Sequence, residues 1–95
     1  MELPVKITPK ALEEIRAIID HKKIPEDYHL RIGVKGSGCV GTEFLIGFDK
    51  KEKTDLEYKL EDMNILIARK DLMYLLDVKL DFYEGADARG FTFDK

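Results

Sequence analysis

The chemical potential of this chain is concentrated at one thiol, Cys39, set in the glycine-dense run Gly36-Ser37-Gly38-Cys39-Val40-Gly41. Each glycine costs backbone entropy when a segment folds. Three so close together predict positive φ values or a close approach by something bound outside the loop. Backbone N–H groups around such a turn favour the thiolate, the form of cysteine that attacks electrophiles and ligates metals. A nucleophilic enzyme would also need a base, and the chain offers only His21, near the end of an amphipathic segment, and His29, on the polar side of a strand start. Both read as surface histidines, and their spacing from Cys39 yields no triad. A single cysteine allows no two-cysteine redox cycle within the chain. The 19 Asp and Glu residues show no pair on an apolar background, so no general acid and base are nominated. The plain alternative for Cys39 is a small buried apolar residue at a tight turn.

The loop also spells G-x-G-x-x-G, and its context decides against a nucleotide. The dinucleotide fingerprint needs a helix opening at its third glycine, so that the helix N-terminus meets the pyrophosphate. Here Gly41 leads into Thr42-Glu43-Phe44-Leu45-Ile46, which has the composition of a strand. The Lys-Ser/Thr pair of a phosphate loop is absent after Gly41. A kinase-type loop does join two strands, but a kinase needs a lysine-bearing strand, a catalytic loop and a far longer chain.

The elements that must hold Cys39 follow from periodicity. Thr8-Pro9 supplies an N-cap hydroxyl and then a proline at the first helical position, predicting a helix over Pro9 to Lys22. Ala11, Leu12, Ile15, Ile18 and Ile19 form its apolar stripe, and Pro25 prevents continuation. From Tyr28 the period becomes two: Leu30, Ile32 and Val34 alternate with Arg31, Gly33 and Lys35 in a strand that runs into the loop. Strands are also expected at Phe44 to Phe48, at Leu56-Tyr58-Leu60, at Ile65-Leu66-Ile67, at Val78-Leu80-Phe82 and at Phe91-Phe93. Leu72, Met73, Leu75 and Leu76 bunch at the spacing of a short helix. This is an α+β pattern dominated by antiparallel sheet, without repeated βαβ units.

Bulk composition restricts the partners. The 95 residues, 44% hydrophobic and 37% charged, describe one globular domain over 1–95 that gains from oligomerisation, since so small a core is marginal alone. A formal net charge of −3 excludes a general nucleic-acid binder, because neutralising phosphates needs concentrated Lys and Arg. Lys50, Lys51 and Lys53 are interleaved with Asp49, Glu52 and Asp55, as in a solvated turn. No stretch approaches the roughly 20 apolar residues of a membrane span. One cysteine cannot form an internal disulfide, and Met1-Glu2-Leu3-Pro4 lacks a basic segment followed by an apolar run, so the expected location is the reducing cytoplasm.

The order of elements and the loop together resemble the A-type iron–sulfur carriers, the HesB/IscA-like domain. The resemblance spans nearly the whole chain. It runs from Ile7-Thr8 and the helix through Leu30-Arg31-Ile32-Gly33-Val34-Lys35 into the glycine loop and Glu43-Phe44. It resumes at Ile65-Leu66-Ile67, Leu72-Met73-Tyr74-Leu75, Leu80-Asp81-Phe82 and Gly90-Phe91-Thr92-Phe93. It implies a HesB-like α+β fold of small mixed, mostly antiparallel sheets, with an N-terminal amphipathic helix and a second short helix, assembled as a homodimer or tetramer. It further implies a role in iron–sulfur cluster assembly without catalysis. Cys39 would be the metal ligand, Gly36, Gly38 and Gly41 would shape the binding loop, and the cargo would be a [2Fe-2S] cluster or iron. The partners implied are assembly or recipient proteins. Val40 and Phe44 could contribute to a subunit contact or equally to an ordinary core.

Such carriers use three cysteines, one in the loop and a Cys-x-Cys-like pair after the glycine–phenylalanine strand; only Cys39 has a counterpart in this sequence. Ser37 and Asp77 stand where glycine is frequent, and Val40 where serine is common. A [2Fe-2S] cluster takes four thiolates or a mixture of thiolate and imidazole. One chain offers one thiolate and a symmetric pair offers two, so the remaining ligands would come from small thiols, a partner protein, or His21 or His29 if the fold brings them near. Mononuclear iron or zinc on one thiolate plus carboxylates is also open. Two other readings stand beside the carrier: a metal-free adaptor that keeps the fold and a docking surface, and a thiol-based enzyme or redox sensor.

Overall fold

Thr8 and Pro9 start the first helix as their chemistry requires. In a computed structural model that describes residues 3–35 and 43–94, helix α1 spans Pro9–Lys22, and the Thr8 hydroxyl accepts the Ala11 N–H at 3.1 Å. Lys23 closes the helix in the left-handed conformation at φ 52°, and its N–H reaches the Ile19 carbonyl, as does that of Ile24 at 3.1 Å. Only Ala11 and Ile15 of the apolar stripe are fully buried, while Leu12, Ile18 and Ile19 are half-buried at its margins.

The remaining elements are β1 (Lys6–Ile7), β2 (His29–Lys35), β3 (Glu43–Asp49), β4 (Asp55–Leu60), β5 (Met63–Ala68), α2 (Leu72–Leu75), β6 (Lys79–Glu84) and β7 (Arg89–Asp94). A 3₁₀ turn, Arg69–Asp71, leads into α2. The chain forms two compact units, one built on Pro25–Leu76 and the other on Pro4–Ile24 with residues 77–94.

In the second of these, a three-stranded sheet has the order β1-β6-β7, with β1 parallel to β6 and β7 antiparallel to it. Helix α1 packs on β6. Val5, Ala11, Ile15, Val78 and Leu80 are buried, and the Thr8 hydroxyl donates to Asp81 Oδ1 at 2.7 Å, tying the helix start to β6. The short β1 is absent from the sequence expectation because two residues cannot display an alternation.

In the Pro25–Leu76 unit, a four-stranded sheet has the order β3-β2-β5-β4. Its outer pairs, β2/β3 and β4/β5, are antiparallel, and its central pair, β2/β5, is parallel. Period-two alternation puts Leu30, Ile32, Ile65, Ile67 and Tyr58 on one face, all buried. The opposite face carries Arg31, Gly33 and Leu66. The cluster at Leu72 to Leu76 forms a single helical turn in which only Leu75 is buried, with Met73, Tyr74 and Leu76 exposed. The architecture is thus α+β with small mixed, mostly antiparallel sheets.

Candidate functional site

Strands β2 and β3 are the frame for the glycine loop. They pair antiparallel along their full lengths, from His29 opposite Asp49 to Lys35 opposite Glu43, so the two points from which residues 36–42 depart are cross-strand neighbours. Cys39, Gly36, Gly38 and Gly41 lie within that segment, outside the described residues, as do Ser37 and Val40. Phe44, the first apolar residue of β3, is half-buried, and Leu45 beside it is 46% exposed.

Two buried carboxylates brace β2 from the face that carries Arg31 and Gly33. Asp55, at the start of β4, takes a bidentate grip from Arg31, with Nη1 to Oδ1 at 2.7 Å and Nη2 to Oδ2 at 2.5 Å, and accepts the Glu52 N–H at 2.7 Å. Arg31 also donates to the Lys50 carbonyl at 3.2 Å, and its Nε lies 3.2 Å from Asp49 Oδ2 without the alignment of a hydrogen bond. The Arg31 hydrogen bonds, outweighing burial, hold the Asp55 carboxyl below its usual range, with the Glu52 N–H and the nearby positive charges adding to the effect. Asp55 in turn raises Arg31, which is charged at every accessible pH.

The second carboxylate is Asp71, 7% exposed, at the end of the 3₁₀ turn. Its Oδ2 accepts the Val34 N–H at 3.3 Å and lies 2.9 Å from where a side-chain carbon at Gly33 would sit. Glycine at 33 therefore leaves room for this carboxylate, and a β-carbon there would push the Asp71 side chain from its present place. The signal was present in the sequence as an isolated glycine inside a strand, which marks close approach by another group. The identity of that group was not legible. Arg31, Gly33, Leu45, Asp49, Glu52 and Asp71 contribute to a shallow groove of about 520 Å³ along this face.

His29 begins β2 while residues 36–42 leave its other end, about 20 Å away along an extended strand. His21 is exposed on α1, beside a groove lined by Ile18, Phe82 and Arg89. Among the described residues, no three His, Cys, Asp or Glu side chains converge to hold a metal ion.

Two paired strands flank in sequence the segment that holds the one cysteine, and this order of elements has counterparts among known proteins. The sequence profile described as "Iron-sulphur cluster biosynthesis" matches residues 3–95. The chain belongs to this family. Its relatives include the iron-sulfur cluster insertion protein ErpA of Pseudoalteromonas translucida, 34% identical over 91 residues, covering 95% of this chain and 80% of that protein. A second is the mitochondrial iron-sulfur cluster assembly 1 homolog of Danio rerio, 30% identical over 89 residues, covering 93% of this chain and 67% of that protein. Among solved structures, Escherichia coli SufA superposes with a TM-score of 0.76 at 23% identity, covering 95% of this chain and 78% of that one. IscA solved with its [2Fe-2S] cluster gives 0.71 at 24% identity, covering 95% of this chain and 80% of that one. At these identities the structural likeness establishes the fold, and the HesB-like architecture implied by the sequence is the one observed. Among the described residues no helix is long and apolar enough to cross a membrane.

Proposed function

We propose that this family member is a cytoplasmic carrier in iron–sulfur cluster assembly that holds a [2Fe-2S] cluster or iron transiently as cargo through Cys39, across a homodimer. The observation that carries the reading is the match to the iron-sulphur cluster biosynthesis profile over residues 3–95, with Cys39 placed by sequence between paired strands. Gly36, Gly38 and Gly41 would shape the loop so that backbone N–H groups can face the thiolate and its cargo. With one cysteine per chain, two copies supply two thiolates. The remaining coordination falls to small thiols or to the recipient protein, which makes the cargo labile and suits transfer over storage. No catalysis, nucleic acid or membrane enters this role.

The single cysteine also favours a second reading, a metal-free adaptor that acts by docking to the assembly proteins. Anaerobic reconstitution with ferrous iron and sulfide in the presence of a small thiol separates the two. The carrier gives sulfur-to-iron charge-transfer absorption that Cys39→Ser abolishes while the variant keeps the wild-type fold by circular dichroism. A wild-type chain that stays colourless and iron-free contradicts the carrier and leaves the adaptor.

A further inference from the structure

The ladder on the β5 side of β2 stops early. The parallel pairing of β2 with β5 runs only through Leu30 opposite Ile65 and Arg31 opposite Leu66. Strand β5 ends at Ala68, and the chain turns away through Arg69–Asp71. From Ile32 to Lys35, β2 therefore keeps β3 on one side but has no strand on the other among the described residues. An N–H shielded from water and left open there would cost up to about 1–3 kcal/mol, less where it is only half-buried.

Asp71 fills that gap. Its Oδ2 takes the Val34 N–H, one residue before Lys35, where the strand gives way to residues 36–42. Its Oδ1 lies 3.4 Å from Lys70 Nζ, which leaves Oδ2 to the backbone. Gly33 makes room for this seat, because a β-carbon would lie 2.9 Å from Oδ2 and displace the carboxylate. The carboxylate is 7% exposed, an expensive placement for a charge with no structural task, and the task visible here is to replace the departed strand.

We infer that Asp71 is a positioning residue: its carboxylate, seated on Gly33, substitutes for β5 at the end of β2 and fixes the strand terminus that delivers Cys39. The inference rests on the carrier reading for what Cys39 binds. The clamp itself can be tested in the metal-free chain.

Three measurements on the metal-free protein suffice. Amide hydrogen exchange at Val34 should quicken about tenfold in Asp71→Ala, the loss of one charge-assisted hydrogen bond of roughly 1.4 kcal/mol, and stay within threefold of wild type in Asp71→Asn, whose carbonyl can still accept. Gly33→Ala should quicken Val34 exchange in the wild-type background and change it less than twofold in the Asp71→Ala background, because the two residues compete for one space. Alkylation of Cys39 by iodoacetamide at fixed pH should be at least threefold faster in Asp71→Ala and restored in Asp71→Asn. Unchanged Val34 exchange in Asp71→Ala, or additive effects in the Gly33/Asp71 cycle, overturns the clamp. Changed exchange with unchanged Cys39 alkylation overturns the positioning role. Failure of the wild-type chain to load iron would count against the carrier reading and leave these results standing.

Discussion

At the scale of single residues, the Arg31–Asp55 pair joins a bidentate hydrogen bond to a buried carboxylate. Asp55 is 7% exposed and engages both guanidinium Nη atoms, so losing its carboxylate leaves a half-buried cation with only the Lys50 carbonyl and the more exposed Asp49 carboxylate beside it. Asp55→Ala should lower stability by about 2–3 kcal/mol, measured as a shift in the urea midpoint at neutral pH. The same pair fixes a pH dependence. The folded-state pKa of Asp55 lies below its ordinary value of 3.8, so its contribution is complete above about pH 4 and disappears as pH falls through the lower folded value. Asp81 acts in the same sense, lowered first by the Thr8 hydroxyl and then by the Phe82 N–H. Thermal melts between pH 7 and pH 2 should show stability falling below pH 4, with a shallower fall in Asp55→Asn. An equally steep fall in that variant would assign the acid sensitivity to other groups.

At the scale of elements, what the sequence disclosed and what it withheld divide along local and non-local physics. The bounds of α1 were legible because Thr8, Pro9 and the apolar stripe are local signals; β2, β4, β6 and β7 were legible from alternation and β3 and β5 from apolar composition, whereas the two-residue β1 was not. The parallel neighbourhood of β2 and β5 was not, because no periodicity records which strands meet. Asp71 reads in sequence as an ordinary charge before an apolar cluster, and its seat on Gly33 exists only once the 3₁₀ turn folds back. Asp77 was legible only in part. It departs from the glycine frequent at that place in similar carriers, and the structure supplies the reason for glycine, a left-handed φ of 65° just after the α2 turn. Aspartate tolerates this conformation at a cost. Asp77→Gly should therefore stabilise the fold by roughly 0.5–1 kcal/mol, after the entropic penalty of glycine is offset against the relieved strain. A melting temperature unchanged or lowered in that variant would show that the aspartate side chain itself contributes at this turn.

At the scale of the whole molecule, the sequence indicated the HesB-like architecture because a resemblance can draw on the full order of elements, and the family match over residues 3–95 agrees. The candidate site was less legible than the fold. Its one nominated ligand lies outside the described residues, and its bracing, Arg31–Asp55 and Asp71 on Gly33, emerged only from three-dimensional packing. Under the proposed function, a chain with one cysteine shares its cargo with a second copy, so assembly and loading are a single question. Native mass spectrometry of the anaerobically reconstituted protein addresses it most directly. The carrier account predicts a dimer whose excess mass corresponds to one [2Fe-2S] cluster with bound thiol, and a Cys39→Ser chain without that excess. An iron-free wild-type species, or a cluster retained in Cys39→Ser, would contradict it.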